Sequence, residues 1–300
     1  MSDPPIGELL NAFEFEAVAK RKLGAAAYEE IAGGDRAAFD RITFRPRMMV
    51  NTTKLDLTLE LFGAKMFAPI LVAPIAEQKR YHPDGELAMA RGAANAKAAV
   101  VISSRSSVPI EKIAAEAKAT LWYQMYAEPD MIARAKDAVK RGCKAVCLTL
   151  PCDAEAIERV RDAAGVPLIL KGVLRADEAQ LGVQKGVQGI VVSNYNGQTY
   201  NAAASPMEVL PSIVDAVGGK AAILIDGGFR RGSDVLKALT MGARAVLLGR
   251  PVMWGLAAYG DAGVQRVLEL IQTELARDMA MCGRPNLKSI DAGVVKVHRR

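Results

Sequence analysis

Apolar runs of about five residues recur along the chain at intervals of roughly twenty to thirty residues, each followed by a turn and then a segment with helical periodicity. They fall at residues 69–73, 99–103, 120–124, 145–149, 167–171, 189–193, 222–226 and 245–249. Near-continuous hydrophobicity marks strands buried on both faces, as parallel strands are. The segments between them, such as 111–118, 131–141 and 176–185, carry Lys and Glu on one face, as helices with one face to solvent do. Eight such units predict an α/β fold, a closed (β/α)8 barrel of the TIM type. An open doubly wound sheet is disfavoured because no Gly-x-Gly-x-x-Gly follows the first run.

The rest of the chain fits around that core. Residues 6–34 read as two helices, with Leu9, Leu10, Phe13 and Val18 forming one apolar stripe and Leu23, Ala27, Tyr28 and Ile31 another, closed by Gly33-Gly34. From Arg45-Pro46-Arg47 a connector rich in β-branched residues suggests a short hairpin over the barrel floor. One domain over 1–300 is therefore expected, with N-terminal helices and connector over 1–68, eight βα units over 69–260, and a C-terminal helix and tail over 261–300. A chain of 300 residues at 51% hydrophobic can bury such a core.

Composition excludes several classes. The formal charge of +6 is spread along the chain, with one basic cluster in the tail Lys296-Val-His-Arg-Arg300, so nucleic-acid binding is not expected. The cysteines, Cys143, Cys147, Cys152 and Cys282, form no Cys-x-x-Cys pair, and the histidines are His82 and His298, so no metal site is expected. Cys143 and Cys147 read as reduced core residues. No signal peptide or membrane-spanning stretch is visible, and a cytoplasmic protein is expected.

Two stretches concentrate anion-binding grammar. Ile223-Leu-Ile-Asp-Gly-Gly-Phe-Arg-Arg-Gly232 and Val246-Leu-Leu-Gly-Arg-Pro251 both stop an apolar run at glycine next to arginine. Gly227, Gly228 and Gly249 let the backbone approach an anion, Arg230 and Arg250 can bind it bidentately, and Pro251 suits the first turn of a helix whose amides point at it. Either stretch alone reads equally as a plain strand-to-helix turn. Two copies after strands 7 and 8 match the phosphate site of a barrel.

The other runs end in polar groups: Ser103, Gln124, Thr149, Lys171 and Ser193-Asn194. Active sites of this fold lie at that rim. An ammonium at Lys171 is costly to desolvate without a partner, so it should face an anion or developing negative charge; a Schiff-base lysine is the competing reading.

With these residues in place the chain resembles the FMN-dependent α-hydroxy-acid dehydrogenase and oxidase family, which includes glycolate oxidase, lactate oxidase and the flavin domain of flavocytochrome b2. The resemblance runs from about Tyr28 to Lys288 and is carried by Phe44-Arg-Pro-Arg47, Ala73-Pro-Ile-Ala-Glu-Gln-Lys79, His82-Pro-Asp-Gly-Glu86, Ser103-Ser104, Gln124-Met-Tyr126, Leu148-Thr149, Leu170-Lys-Gly-Val173, Val192-Ser-Asn194, Asp226-Gly-Gly-Phe-Arg-Arg-Gly232 and Gly249-Arg-Pro251. It implies FMN across the barrel mouth. By that resemblance the backbone at Pro74, Ile75 and Ala76 approaches the ring, Ser103, Gln124 and Thr149 bond the isoalloxazine, and Lys171 stabilises negative charge at N1 and O2. Ser193 adds a contact, Asp226 holds ribityl hydroxyls, and Gly227, Gly228, Phe229, Arg230, Gly249 and Arg250 surround the phosphate. Tyr28 and Tyr126 match substrate-binding tyrosines. A homotetramer, a small-molecule substrate and an electron acceptor, O2 among the candidates, are implied too.

The pattern breaks on the substrate side. After strand 6 the family reads Ser-Asn-His-Gly-(Gly/Ala)-Arg, its histidine the base and its arginine the carboxylate clamp; here Tyr195 and Gln198 stand there. Tyrosine titrates near pH 10, so using it as a base near neutrality costs roughly 4 kcal/mol unless its pKa falls. Glutamine lacks the charged bidentate fork. Pro151 aligns with the family's aspartate that supports the histidine, and the long lid after strand 4 is missing. Arg105, in the loop after strand 2, is a candidate replacement anion clamp. The expected function is thus an FMN-binding oxidoreductase with an altered substrate or impaired hydroxy-acid oxidation, Tyr195 and Tyr126 being the catalytic candidates. The alternatives are an inactive FMN-binding module and a barrel for another phosphorylated ligand.

Overall fold

The computed structural model describes residues 3–34, 36–195 and 204–298. Among these, eight parallel strands close into a barrel in sequence order: β4 (Ile70–Val72), β5 (Val100–Ser103), β6 (Leu121–Tyr126), β7 (Val146–Thr149), β8 (Leu168–Val173), β9 (Gly189–Val192), β10 (Ala222–Ile225) and β11 (Ala245–Leu248), with β11 pairing back onto β4. Each expected apolar run became a strand, shifted by at most a residue or two at its ends. Alternation along the strands makes two cores. Val101, Trp122, Cys147, Ile169, Val191, Leu224 and Leu247 point into the barrel, while Val100, Ile102, Tyr123, Val146, Leu148 and Ile190 pack outward against the helices.

The barrel floor is plugged by a hairpin, β2 (Leu59–Leu61) with β3 (Ala64–Met66), whose Leu59, Leu61, Ala64 and Met66 join the inner core. Phe62 at its turn packs on Trp122 with ring centroids 5.6 Å apart. A closed floor leaves the opposite mouth as the place for ligands.

The N-terminal helices differ in detail from their sequence reading. Helix α1 (Ala12–Lys22) starts after Asn11, whose side chain accepts from the Phe13 amide at 3.0 Å. Its buried face is Ala12, Phe15, Val18 and Ala19, and Leu10 and Phe13 are exposed, because Leu9-Leu10 precede the helix and do not share its phase. Helix α2 (Ala25–Ile31) leads into Gly33-Gly34 and, past the short α3 (Ala37–Asp40), into β1 (Ile42–Phe44). At the other end, α11 (Arg250–Met281) is broken at Tyr259-Gly260, where the backbone leaves helical geometry. It packs along α1, and the Trp254 indole N–H donates to the Ile31 carbonyl at 2.8 Å, fixing the chain that runs over the mouth. In the basic tail, Lys296 and Val297 lie in β12 (Val295–Val297), which pairs antiparallel with β1. Among the described residues no helix is long and apolar enough to cross a membrane.

Candidate active site

The strand ends converge on a cavity of about 360 Å³ at the barrel mouth. Its floor is a chain of neutral donors and acceptors on adjacent strands. The Ser103 hydroxyl donates to Gln124 Oε1 at 3.1 Å, and Gln124 Nε2 donates to Thr149 Oγ1 at 2.8 Å. Parallel register puts Ser103 beside Gln124, and all three side chains are buried. Beside them Lys171 is only 4% exposed. Its ammonium pairs with Asp226 at 2.7 Å and donates to Ser193 Oγ at 3.0 Å, which offsets the desolvation that the sequence made a concern.

One end of the cavity gathers positive charge. Asp226 is followed by Gly227 and Gly228, both at positive φ, 95° and 82°, which turns the chain towards α10 (Gly232–Thr240) in a conformation L side chains resist. Buried Asp234 on α10 ties this turn down, accepting from the Arg230 and Arg231 amides at 2.8 and 3.0 Å and from Arg36 at 2.7 and 3.1 Å. Arg230 and Arg250 face the same space across Gly34, whose added Cβ would lie 2.8 Å from one guanidinium and 3.2 Å from the other. Burial, and then the charges of Arg250 and Arg36, push the Arg230 pKa down to about 10. Burial also lowers that of Arg250. Two like charges held together in a desolvated pocket are the arrangement that an anion relieves.

Gly249 completes this end. A Cβ built on it meets no protein atom within 4 Å, and its φ of −102° does not demand glycine. What a side chain there would occupy is the cavity next to Arg250. Gly249→Ala should therefore leave the unliganded barrel melting within a few degrees of the wild type while weakening binding of a phosphate-bearing ligand by about tenfold or more, read by fluorescence titration. Equal affinity in the variant would remove Gly249 from the cradle.

The opposite wall carries phenols and carboxylates. Tyr126, at the end of β6, is half-buried, and burial together with its hydrogen bond to Tyr195 pushes its pKa up to about 12. Tyr195 lies over Lys171, whose Nζ is 5.5 Å from the ring centroid. Across from them Glu30 accepts from Arg80 at 2.5 Å and from the Tyr81 hydroxyl at 2.6 Å, and Glu77 stands 3.5 Å from Arg80.

Most residues singled out in the sequence line this cavity: Pro74, Ile75, Ala76, Ser103, Gln124, Tyr126, Thr149, Lys171, Tyr195, Asp226, Gly227, Gly228, Phe229, Arg230, Gly249 and Arg250. Ser193 reaches it through Lys171. Two candidates are placed elsewhere. The Tyr28 hydroxyl turns back to Glu16 at 3.3 Å, and it is Glu30 and Ile31 of the same helix that face the cavity. Arg105 lies outside the lining, its guanidinium 4.2 Å from the Tyr126 ring centroid and paired with Glu128 at 3.2 Å. Gln198 lies outside the described residues. Sequence reasoning did not single out Glu30, Glu77, Arg80 and Tyr81, because helix phase and loop direction, not residue type, bring them to the mouth. Among the described residues no cluster of His, Cys, Asp and Glu is arranged to hold a metal ion.

A family model described as FMN-dependent dehydrogenase matches residues 16–154 and 151–297, two stretches that overlap just after Thr149. The L-lactate oxidase of Nostoc sp. is 35% identical over 356 aligned positions, covering 95% of this chain and 98% of that protein. That alignment is longer than the 300 residues here, so the relative carries stretches this chain does not. The glycolate oxidase of Spinacia oleracea is 32% identical, covering 94% of each chain. The crystal structure of mandelate oxidase with (S)-2-phenylpropionate superposes with a TM-score of 0.91 at 34% identity, covering 97% of this chain and 100% of that one.

Proposed function

This chain belongs to the FMN-dependent dehydrogenase family, and from that premise we propose that it is an FMN-dependent oxidoreductase whose donor is not an ordinary α-hydroxy acid. The observation that carries the first half is the pairing on one cavity of a cation cluster, buried Arg230 with half-buried Arg250, and an ion pair between buried Lys171 and half-buried Asp226. That donor set fits a phosphate at one end and a polar ring at the other. Ser103, Gln124 and Thr149 would hold the ring edge together with the backbone from Pro74 to Ala76. Asp226 would take ribityl hydroxyls, and Gly227, Gly228, Phe229, Arg230, Gly249 and Arg250 would enclose the phosphate. Bound FMN supplies a two-electron acceptor, and Lys171 places a fixed positive charge where the ring would gain negative charge.

The second half rests on the phenols. With its pKa near 12, Tyr126 is protonated at neutral pH and acts as a hydrogen-bond donor that orients a substrate, not as a base. Tyr195 stands at the position of the family's histidine and is hydrogen-bonded to Tyr126, so the pair positions a donor without a group ready to take its proton. A homotetramer and O2 as acceptor complete the reading by resemblance, with the cytoplasm as the expected location. The test is anaerobic mixing of FMN-loaded protein with L-lactate, glycolate, amino acids and amines. Dithionite should bleach the flavin normally, while lactate and glycolate should do so at least about 100-fold more slowly than expected with a histidine base. Rapid bleaching by lactate would make this an ordinary hydroxy-acid oxidase, and no bleaching by any donor would make it a non-catalytic flavoprotein.

A further inference from the structure

We propose that Gln78 is a positioning residue for the ring end of the cavity: its side-chain amide fixes the Ile75–Ala76 peptide so that the Ala76 N–H is presented to the flavin ring. This rests on the reading of the cavity as an FMN site. Gln78 Nε2 donates to the Ile75 carbonyl at 3.1 Å. Gln78 is 3% exposed and is not among the residues that line the cavity, whereas Ile75 and Ala76 are. The Ile75 carbonyl is thus turned away from the cavity, and across a planar trans peptide the following N–H points the opposite way. Among the described residues the Ala76 N–H donates to no protein atom, which leaves it for a ligand.

The frame behind Gln78 is built around one carboxylate. Glu86, in the first turn of α4 (Gly85–Asn95), is fully buried. One of its oxygens accepts from the Gln78 and Ser107 amides at 3.0 and 2.9 Å, the other from the Ser107 hydroxyl and the Val108 amide at 2.7 and 3.1 Å. Its four acceptor positions are filled, and the loops after β4 and β5 are tied to a single group. Ser107 Oγ also accepts from the Lys79 amide at 3.0 Å, and the Arg105 carbonyl from the Glu77 amide at 3.1 Å. Between these ties Glu77 is held at φ 51° and ψ 40°, a left-handed conformation that persists in a residue with a side chain only where the surroundings fix it. The amide of Gln78 is not kept for stability alone, since its Oε1 is buried without a hydrogen-bond partner among the described residues.

Two ligands test the assignment: FMN, and ribitol 5-phosphate, which keeps the hydroxyls and phosphate of FMN and lacks its ring. FMN is titrated by absorbance, and ribitol 5-phosphate by its displacement of FMN. Gln78→Met exchanges the orphaned Oε1 for an orphaned Ile75 carbonyl, so the unliganded variant should melt within about 3 °C of the wild type. It should bind FMN about fivefold more weakly, the loss of one aimed hydrogen bond, and ribitol 5-phosphate within about twofold. Ser107→Ala loosens the same frame without touching Ile75; it should lower the melting temperature and leave the ratio of the two affinities within about twofold. Unchanged FMN affinity in Gln78→Met, a parallel loss of both ligands, a much larger fall in melting temperature, or the same change of ratio in Ser107→Ala overturns the proposal. If the wild type itself yields no bound flavin spectrum, the functional reading fails and takes this inference with it, an outcome seen before any variant is compared.

Discussion

Lys171→Met should lower the stability of the barrel by about 3 kcal/mol, near the lower end for breaking a buried ion pair because Asp226 keeps 13% side-chain exposure. The variant removes the ammonium and leaves the Asp226 carboxylate without its cation, with Ser193 Oγ losing one of its two donors and keeping the Tyr195 amide. For a chain of this length that corresponds to a fall in melting temperature of about 5 °C or more. The companion change Asp226→Asn separates the pair from the packing. A Lys171→Met/Asp226→Asn double variant should recover most of the loss, because the uncompensated charge is gone and Met fills the volume of the lysine stem. FMN affinity should not recover with it, since the fixed positive charge that Lys171 would offer the ring is still missing. Calorimetry on the two single variants and the double, with FMN titration of each, decides the matter. A Lys171→Met protein that melts with the wild type would mean that the ion pair contributes nothing net, and the cost argument for a buried lysine would fail.

The fold was legible because parallel strands buried on both faces have a composition that helices and loops on the outside of a barrel do not share. The runs ending in Ser103, Gln124, Thr149 and Lys171 announced both the strands and the polar mouth, since the residue that ends a barrel strand has one place to point. The cradle was legible for a related reason: Gly227-Gly228 and Gly249 mark backbone that must come close to something, and Arg230 and Arg250 follow at once. What escaped was direction around a helix. Tyr28 and Glu30 sit two residues apart in α2, roughly 200° around its axis, so only one can face the mouth, and the seven-residue helix has too little periodicity to say which. Arg105 and Arg80 pose the same difficulty in loops. Both precede or follow a turn at the mouth, but Arg105 is drawn outward to Glu128 and Arg80 inward to Glu30, a choice made by partners remote in sequence.

Restoring the two lost groups should produce the largest gain. Tyr195→His places an imidazole, whose ordinary pKa is near 6.5, at the position of the family's base, so a neutral ring nitrogen able to take a proton is present in most of the population at pH 7. Removing Tyr195 also takes away the hydrogen bond that helps hold Tyr126 at about 12, which leaves Tyr126 free to donate to a substrate. Anaerobic flavin reduction by L-lactate should rise by about 100-fold, the lower end of what a positioned base provides, because Pro151 offers no carboxylate to orient the imidazole. Adding Gln198→Arg should act mainly on the lactate concentration needed for half-maximal rate, lowering it by about tenfold through a charged bidentate contact. The two effects should multiply, as base and clamp touch different ends of the donor. Stopped-flow traces over a lactate series for the wild type, each single variant and the double separate the two terms. If the double variant is no faster than the wild type, the base and clamp positions are not what disables hydroxy-acid oxidation, and the next variant to make is one that inserts after β7 the longer segment that the resemblance implies.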